Sequence, residues 1–171
     1  MSRLVILTGL PGTGKTTLAR LLARRIPALH LRIDAIETAL KTCSLRMHRI
    51  DDAGYAAAMA VARDALAGGF DVIADCVNPD ATCRQLWRDV AREGEHRHAL
   101  VAIHCSDPVQ HRRRIETRSP DLPGLVLPDW SEVEARDYST PSDADILLDS
   151  AKTSSETLAD QVLAFLDATS R

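Results

Sequence analysis

Apolar and polar positions fall into two periods along this chain. The run Leu4-Val5-Ile6-Leu7 predicts a buried strand, and the amphipathic stretch from Leu18 to Ile26 predicts a helix. Leu29-His30-Leu31-Arg32-Ile33 alternates apolar with polar residues and predicts a short second strand ending at Asp34, with a helix over Ala35 to Lys41. Thr42 to Asp52 is polar and basic, with Arg46, His48 and Arg49. It reads as a loop or irregular helix over the site, either touching an acceptor or forming a solvated surface. Ala53 to Ala67 is an alanine-rich helix closed by Gly68-Gly69. Phe70 to Asp75 predicts a third strand, and Asn78-Pro79-Asp80 opens a helix through Val90 with Arg84 and Trp87 on one side.

Ala99 to Ile103 predicts a buried fourth strand. Asp107 as N-cap and Pro108 at the first helical position start a helix carrying His111, Arg112, Arg113, Arg114 and Arg118. Arg114 and Arg118, spaced i, i+4, are expected on one face, where arginines can clamp phosphates. Ser119 to Pro128 holds Pro120, Pro123, Gly124 and Pro128 and is expected to be a mobile lid loop. A short helix over Trp130 to Tyr138 follows, then a fifth strand over Ala144 to Asp149. A capping box, Thr153-x-x-Glu156, is expected to start the last helix, Ser154 to Asp167. Alternating strands and helices of this kind give an α/β fold with a parallel sheet and helices on both faces. With 171 residues the expectation is one domain over 1–171.

The chemistry starts between the first strand and the first helix. Gly9-Leu10-Pro11-Gly12-Thr13-Gly14-Lys15-Thr16 has the spacing G-x-x-x-x-G-K-T of a P-loop. Glycines there let successive N–H groups turn inward as a nest for phosphate oxygens, and the helix N-terminus adds positive potential. The candidate nucleotide-binding residues are Gly9, Leu10, Pro11, Gly12, Thr13, Gly14, Lys15, Thr16, Thr17 and Arg114, with Lys15 on the β- and γ-phosphates and Thr16 on Mg²⁺. Asp34 stands at a strand end directly before a helix, where it serves either as a catalytic base or as the helix N-cap. Asp75 ends an apolar run in the manner of a Walker B carboxylate, holding metal or substrate. Cys76 follows where ATP-hydrolysing motors carry Glu, which favours transfer to a hydroxyl over hydrolysis. Asn78 is either a substrate contact or a turn residue.

Composition narrows the picture further. A net charge of −3 and 4% aromatic residues supply neither a basic groove nor a stacking platform for a polynucleotide. Eighteen arginines against three lysines make Lys15 one of few lysines. Four cysteines show no C-x-x-C pair and read as free thiols suited to a reducing compartment. The first strand begins at once, no apolar run reaches the roughly 18 residues of a membrane span, and the expected location is the cytoplasm. No N-K-x-D or T-K-x-D guanine motif is present.

The order of P-loop, Asp after strand two, Asp after strand three and an Arg-x-x-x-Arg lid helix resembles the small P-loop kinases of the chloramphenicol phosphotransferase, zeta-toxin and polynucleotide-kinase group. That resemblance implies a P-loop three-layer sandwich with a five-stranded parallel sheet and a helical lid near 111–140. It implies ATP and Mg²⁺ as cofactors and transfer of the γ-phosphoryl group to a hydroxyl of a small molecule. By the same resemblance Asp34 takes the acceptor hydroxyl's proton, Arg114 and Arg118 embrace the triphosphate, and Asp149-Ser150-Ala151 lies near the adenine. Two alternatives stand beside it. One is a polynucleotide or nucleoside 5′-hydroxyl kinase using a patch around Arg46, Arg49 and Arg88. The other is a nucleotide-binding module or slow ATPase without an acceptor.

Overall fold

The structure, a computed structural model, describes residues 1–43 and 52–169. The expected features at Arg46, His48 and Arg49 lie outside the described residues. Five strands, β1 (Arg3–Thr8), β2 (Ala28–Arg32), β3 (Asp71–Asp75), β4 (Arg97–His104) and β5 (Ile146–Asp149), form one sheet in the order β2-β3-β1-β4-β5. Every pairing is parallel. Seven helices complete the described residues: α1 (Lys15–Arg25), α2 (Ile33–Thr42), α3 (Ala53–Ala67), α4 (Ala81–Glu93), α5 (Pro108–Thr117), α6 (Trp130–Glu134) and α7 (Ser155–Ala168). This is the expected P-loop α/β architecture.

A central parallel strand must be apolar on both faces, and β1 is. Leu4 and Ile6 point into one core with Ala58, Met59 and Ala62 of α3 and Trp87 and Val90 of α4. Val5 and Leu7 point into the other core with Leu18 and Leu22 of α1 and Leu158 and Val162 of α7. Trp87 is fully buried, and truncating such a side chain to Ala costs about 3–5 kcal/mol. Because all strands run the same way, their C-terminal ends share one edge. The register sets Leu7 and Arg32 on either side of Asp75. The loops after β1, β2 and β3 therefore meet at that edge, the place where ligands bind in open parallel sheets. Among the described residues no helix is long and apolar enough to cross a membrane.

Four local expectations are corrected. Asp34 does not cap α2: the helix starts directly from the extended Arg32 (φ −101°, ψ 114°), so Asp34 is already in its first turn. A carboxylate there still favours the positive end of the helix dipole. Arg118 is not on a helical face with Arg114, because α5 ends at Thr117 and Arg118 is extended (φ −71°, ψ 133°). The helix expected over Trp130 to Tyr138 stops at Glu134. The capping box is not at Thr153 and Glu156. Ser154 caps α7 by accepting from the Thr157 amide, whereas Asp129 and Glu132 form a reciprocal box at α6.

Candidate active site

The P-loop leaves β1 at Thr8 and enters α1 at Lys15. Gly9 (φ 152°) could not carry a side chain, since a Cβ would lie 2.3 Å from the Ile103 carbonyl oxygen. Gly12 (φ 80°) is left-handed, and a Cβ there would lie 2.6 Å from the tip of the Ile115 side chain of α5, which would have to shift. No side chain caps the first turn of α1, and Gly14 at its N-cap is left-handed. The amides of Lys15, Thr16 and Thr17 are thus an uncapped helix N-terminus at the cleft. Residues 11–17 all line this cleft, whereas Gly9 and Leu10 lie behind it. Gly9 donates its N–H to the Val77 carbonyl (3.3 Å), and the Leu10 carbonyl accepts from Thr13 Oγ1 and Lys15 Nζ, both at 2.9 Å. These bonds shape the turn that presents residues 11–17.

Lys15 is buried, and desolvation pushes its ammonium down. The charges of Asp75, Asp34 and Cys76 act in the opposite direction, while Arg118 adds to the lowering. These groups are therefore close enough to feel one another, and Lys15, Asp34, Asp75 and Arg118 all border one cleft. Asp75 is 4% exposed. Burial alone would raise its carboxyl, but the His30 hydrogen bond, the Lys15 charge and the Thr16 hydroxyl outweigh it and hold the carboxyl low. His30 Nε2 donates to Asp75 Oδ2 at 3.1 Å. Cys76, next in sequence, is also buried, and its thiol is pushed up by desolvation and the neighbouring Asp75. It stays a neutral thiol and offers no base to a water molecule.

Asp34 is half exposed on the cleft wall, with Arg32 Nη2 3.5 Å from its Oδ2. Arg114 also reaches the cleft, but it is engaged: it donates to Ser150 Oγ and to the Ser150 carbonyl, both at 2.8 Å. It thereby ties α5 to the loop after β5. Asn78 does not reach the cleft. It is fully buried in a left-handed conformation (φ 50°), its side-chain amide holds the Leu7 carbonyl at 3.0 Å, and its N–H donates to Tyr55 Oη at 3.2 Å. Its place is under the site, joining β1 to α3. Of the three arginines considered for a polynucleotide patch, Arg88 is the one described, and Asp143 holds it at 2.7 Å.

Several residues around the cleft carry little or no signal in the sequence. Arg32, though it ends a strand, is buried and donates to both oxygens of Asp121, at 3.0 and 2.8 Å. Arg20 of α1 grips the same carboxylate at 2.5 Å. These bonds, led by the one from Arg32, hold the Asp121 carboxyl well below the usual carboxylate range. They fasten the segment 119–128 over the cleft. Gly124 (φ 81°) in that segment packs so near α2 that a Cβ would lie 3.0 Å from Thr42. His111, read as one of a basic run, is buried, donates from Nε2 to the Pro11 carbonyl at 2.7 Å and meets Trp130 edge to face at 5.3 Å. The only signal for His30 and Arg32 was their polar position in an alternating strand. Nothing in the sequence pointed to Asp121.

The cleft has a volume of about 1490 Å³. Ligand pockets for one small molecule run to roughly 300–1,000 Å³, so there is space for two ligands side by side. Residues 11–17 and Arg118 line it, together with Asp34, Glu37, Tyr55, Met59, Arg136 and Tyr138. Among the described residues no group of three or more His, Cys, Asp or Glu could hold a metal ion. The Thr16 hydroxyl and Asp75 carboxylate are nevertheless hard oxygen donors in mutual contact. That set fits Mg²⁺, which takes one or two protein oxygens and completes its shell with phosphate and water.

The model of the AAA domain family matches residues 4–128, from β1 through the segment fastened by Asp121. No curated protein matches the chain. Among solved structures, the Mycobacterium tuberculosis APS kinase CysC in complex with AMPPNP and APS is similar at 21% identity and a TM-score of 0.67, covering 97% of this chain and 98% of that one. Chaetomium thermophilum Kti12 in complex with ADP-AlF3 is similar at 19% identity and a TM-score of 0.70, covering 94% and 97%. A gluconokinase from Sinorhizobium meliloti 1021 is similar at 18% identity and a TM-score of 0.62, covering 98% and 97%. At these identities the likeness is one of fold.

Proposed function

The chain belongs to the AAA domain family, and from that premise and the geometry of the cleft we propose that it is an ATP-dependent phosphotransferase moving the γ-phosphoryl group of Mg·ATP to a hydroxyl of a small molecule. The observation that carries this reading is the pairing of one half-exposed carboxylate, Asp34, with a buried P-loop lysine across a cleft large enough for two ligands. The neutral Cys76 thiol after Asp75 supports transfer over hydrolysis, since no carboxylate stands there to activate water. The kinase names among the similar folds point the same way.

In this reading the uncapped amides at the start of α1 bind the β-phosphate, and Lys15 bridges to the γ-phosphoryl oxygens. Thr16 and Asp75 hold the Mg²⁺, which when bound neutralises charge on the β- and γ-oxygens. Arg118 stabilises charge developing at transfer, and Arg114 supports the wall that faces the adenine by holding Ser150. Asp34 accepts the proton of the acceptor hydroxyl and aims its oxygen at the γ-phosphorus. Catalysis is then positioning and electrostatics inside a covered site. The test is ADP release from Mg·ATP with and without a panel of hydroxyl acceptors: aminoglycosides, chloramphenicol-like compounds, nucleosides, sugars and a 5′-hydroxyl oligonucleotide. Release stimulated by a small-molecule acceptor supports the reading. A slow rate that no acceptor changes and that survives in Asp34→Asn contradicts it.

A further inference from the structure

We infer that His30 is a positioning residue for Asp75 and sets the affinity of the site for the divalent cation that accompanies the nucleotide; this rests on the reading of Asp75 as a metal-holding carboxylate. His30 lies in the middle of β2, with its Cα in register with Ile73, two residues before Asp75 on the neighbouring strand. Alternation along β3 sends Ile73 and Asp75 to the same face, and Ile73 packs there with Leu18 and Leu22 of α1. His30 projects to that face too, as does Ala28, which packs against the same cluster. The imidazole therefore reaches Asp75 from behind, while Thr16 and Lys15 act on it from the P-loop.

Two physical reasons give this contact a role beyond packing. The Asp75 side chain is 3% exposed and that of His30 18% exposed, so the ring stands where water would otherwise hydrate the carboxylate. A buried carboxylate without a donor in that place would be costly to keep ionised. The second reason is orientation. The terminal torsion of an Asp is broad and roughly two-fold, so its own rotamer preferences do not fix the carboxylate plane. A donor at 3.1 Å on Oδ2 does fix it. The carboxylate is then held in one plane toward the Thr16 hydroxyl, the partner with which it would share the cation. Partners of this kind, one step removed from a metal, typically change affinity by about 10–100-fold when lost.

The experiment measures binding of a non-hydrolysable ATP analogue by calorimetry as Mg²⁺ is raised, in the full-length wild type, His30→Ala and His30→Gln, with thermal unfolding of each. His30→Ala should raise the Mg²⁺ concentration that gives half its effect by about tenfold and leave metal-free nucleotide affinity as in the wild type. His30→Gln, which keeps an N–H donor, should recover most of that shift. Wild-type Mg²⁺ dependence in both variants, or a lowered melting temperature with no Mg²⁺ shift, overturns the role assigned to His30 while leaving the metal reading intact. Nucleotide binding by the wild type that ignores Mg²⁺, or a Mg²⁺ dependence unchanged in Asp75→Asn, overturns the metal reading, and the assignment of His30 falls with it.

Discussion

Thr13, Lys15 and Asp75 are 2%, 8% and 4% exposed, whereas across the cleft the Asp34 and Asp121 side chains are 49% and 33% exposed. The P-loop side is built from one continuous loop in which Thr13 and Lys15 are buried and both bond the Leu10 carbonyl. The rest of the cleft is assembled from α2, α3 and the segment 119–128, and its carboxylates Asp34 and Asp121 face water. On the proposed reading the difference follows from what each end would recognise. A triphosphate presents the same oxygens every time, so a rigid nest prepared in advance serves it. An acceptor would have to enter, be covered and leave, and a segment held through the single Asp121 carboxylate, by the exposed Arg20 and the buried Arg32, allows that.

Substitutions at the two ends should therefore fail in different ways. The largest effect belongs to Lys15→Ala: transfer should fall by a factor of about a hundred or more, read as ADP release under saturating acceptor, with the fold retained by circular dichroism. Gly9→Ala comes next. Its Cβ would meet a backbone oxygen that cannot step aside, so the protein should lose about 1–3 kcal/mol of stability, seen as a lower urea midpoint, along with nucleotide binding. If Gly9→Ala were as stable as the wild type, the description of the loop as confined would be wrong.

Asp121→Asn should act on the exposed end alone. It removes the carboxylate gripped by Arg20 and Arg32, so proteolytic cutting near residues 119–128 should speed up several-fold, more in low salt than in high by comparison with the wild type. The pH dependence has a definite sign. A carboxyl held low in the folded state stabilises it above the ordinary carboxylate value of about 3.9, and that contribution fades as the pH falls below it. Melting temperature in the wild type should therefore decline on the acid side, and in Asp121→Asn the decline should be shallower. The smallest effect is expected for Arg112→Ala: its pair with Glu116 is exposed on α5 and screened by solvent, so the melting temperature of the variant should match that of the wild type.

The same contrast explains what could be read in the sequence. The P-loop is legible because its function depends on contiguous residues and on glycines that no other residue replaces. The sheet is legible because β1, β3 and β4 are apolar runs buried on both faces. Asp34 and Asp75 could be found because one follows β2 by two residues and the other ends β3, on the edge where the loop also ends. Arg32, His30 and Asp121 could not, since their partners lie 89 and 45 positions away and pairing over such distances leaves no local pattern. His111 looked like one more member of a basic run, and only the packing of α5 against Pro11 sets it apart from Arg112 and Arg113. Asn78 had the composition of a turn and turned out to be a buried brace under the site.

On the proposed reading the two ends divide the work, one binding the nucleotide and the other activating the acceptor. Asp34→Asn tests it most directly, with nucleotide dissociation constant and acceptor-stimulated ADP release measured on the same preparation. The account predicts an unchanged dissociation constant and a transfer rate lowered by about 10²–10⁴-fold. Full transfer activity in the variant, or a loss of nucleotide binding that matches the loss of transfer, would contradict it.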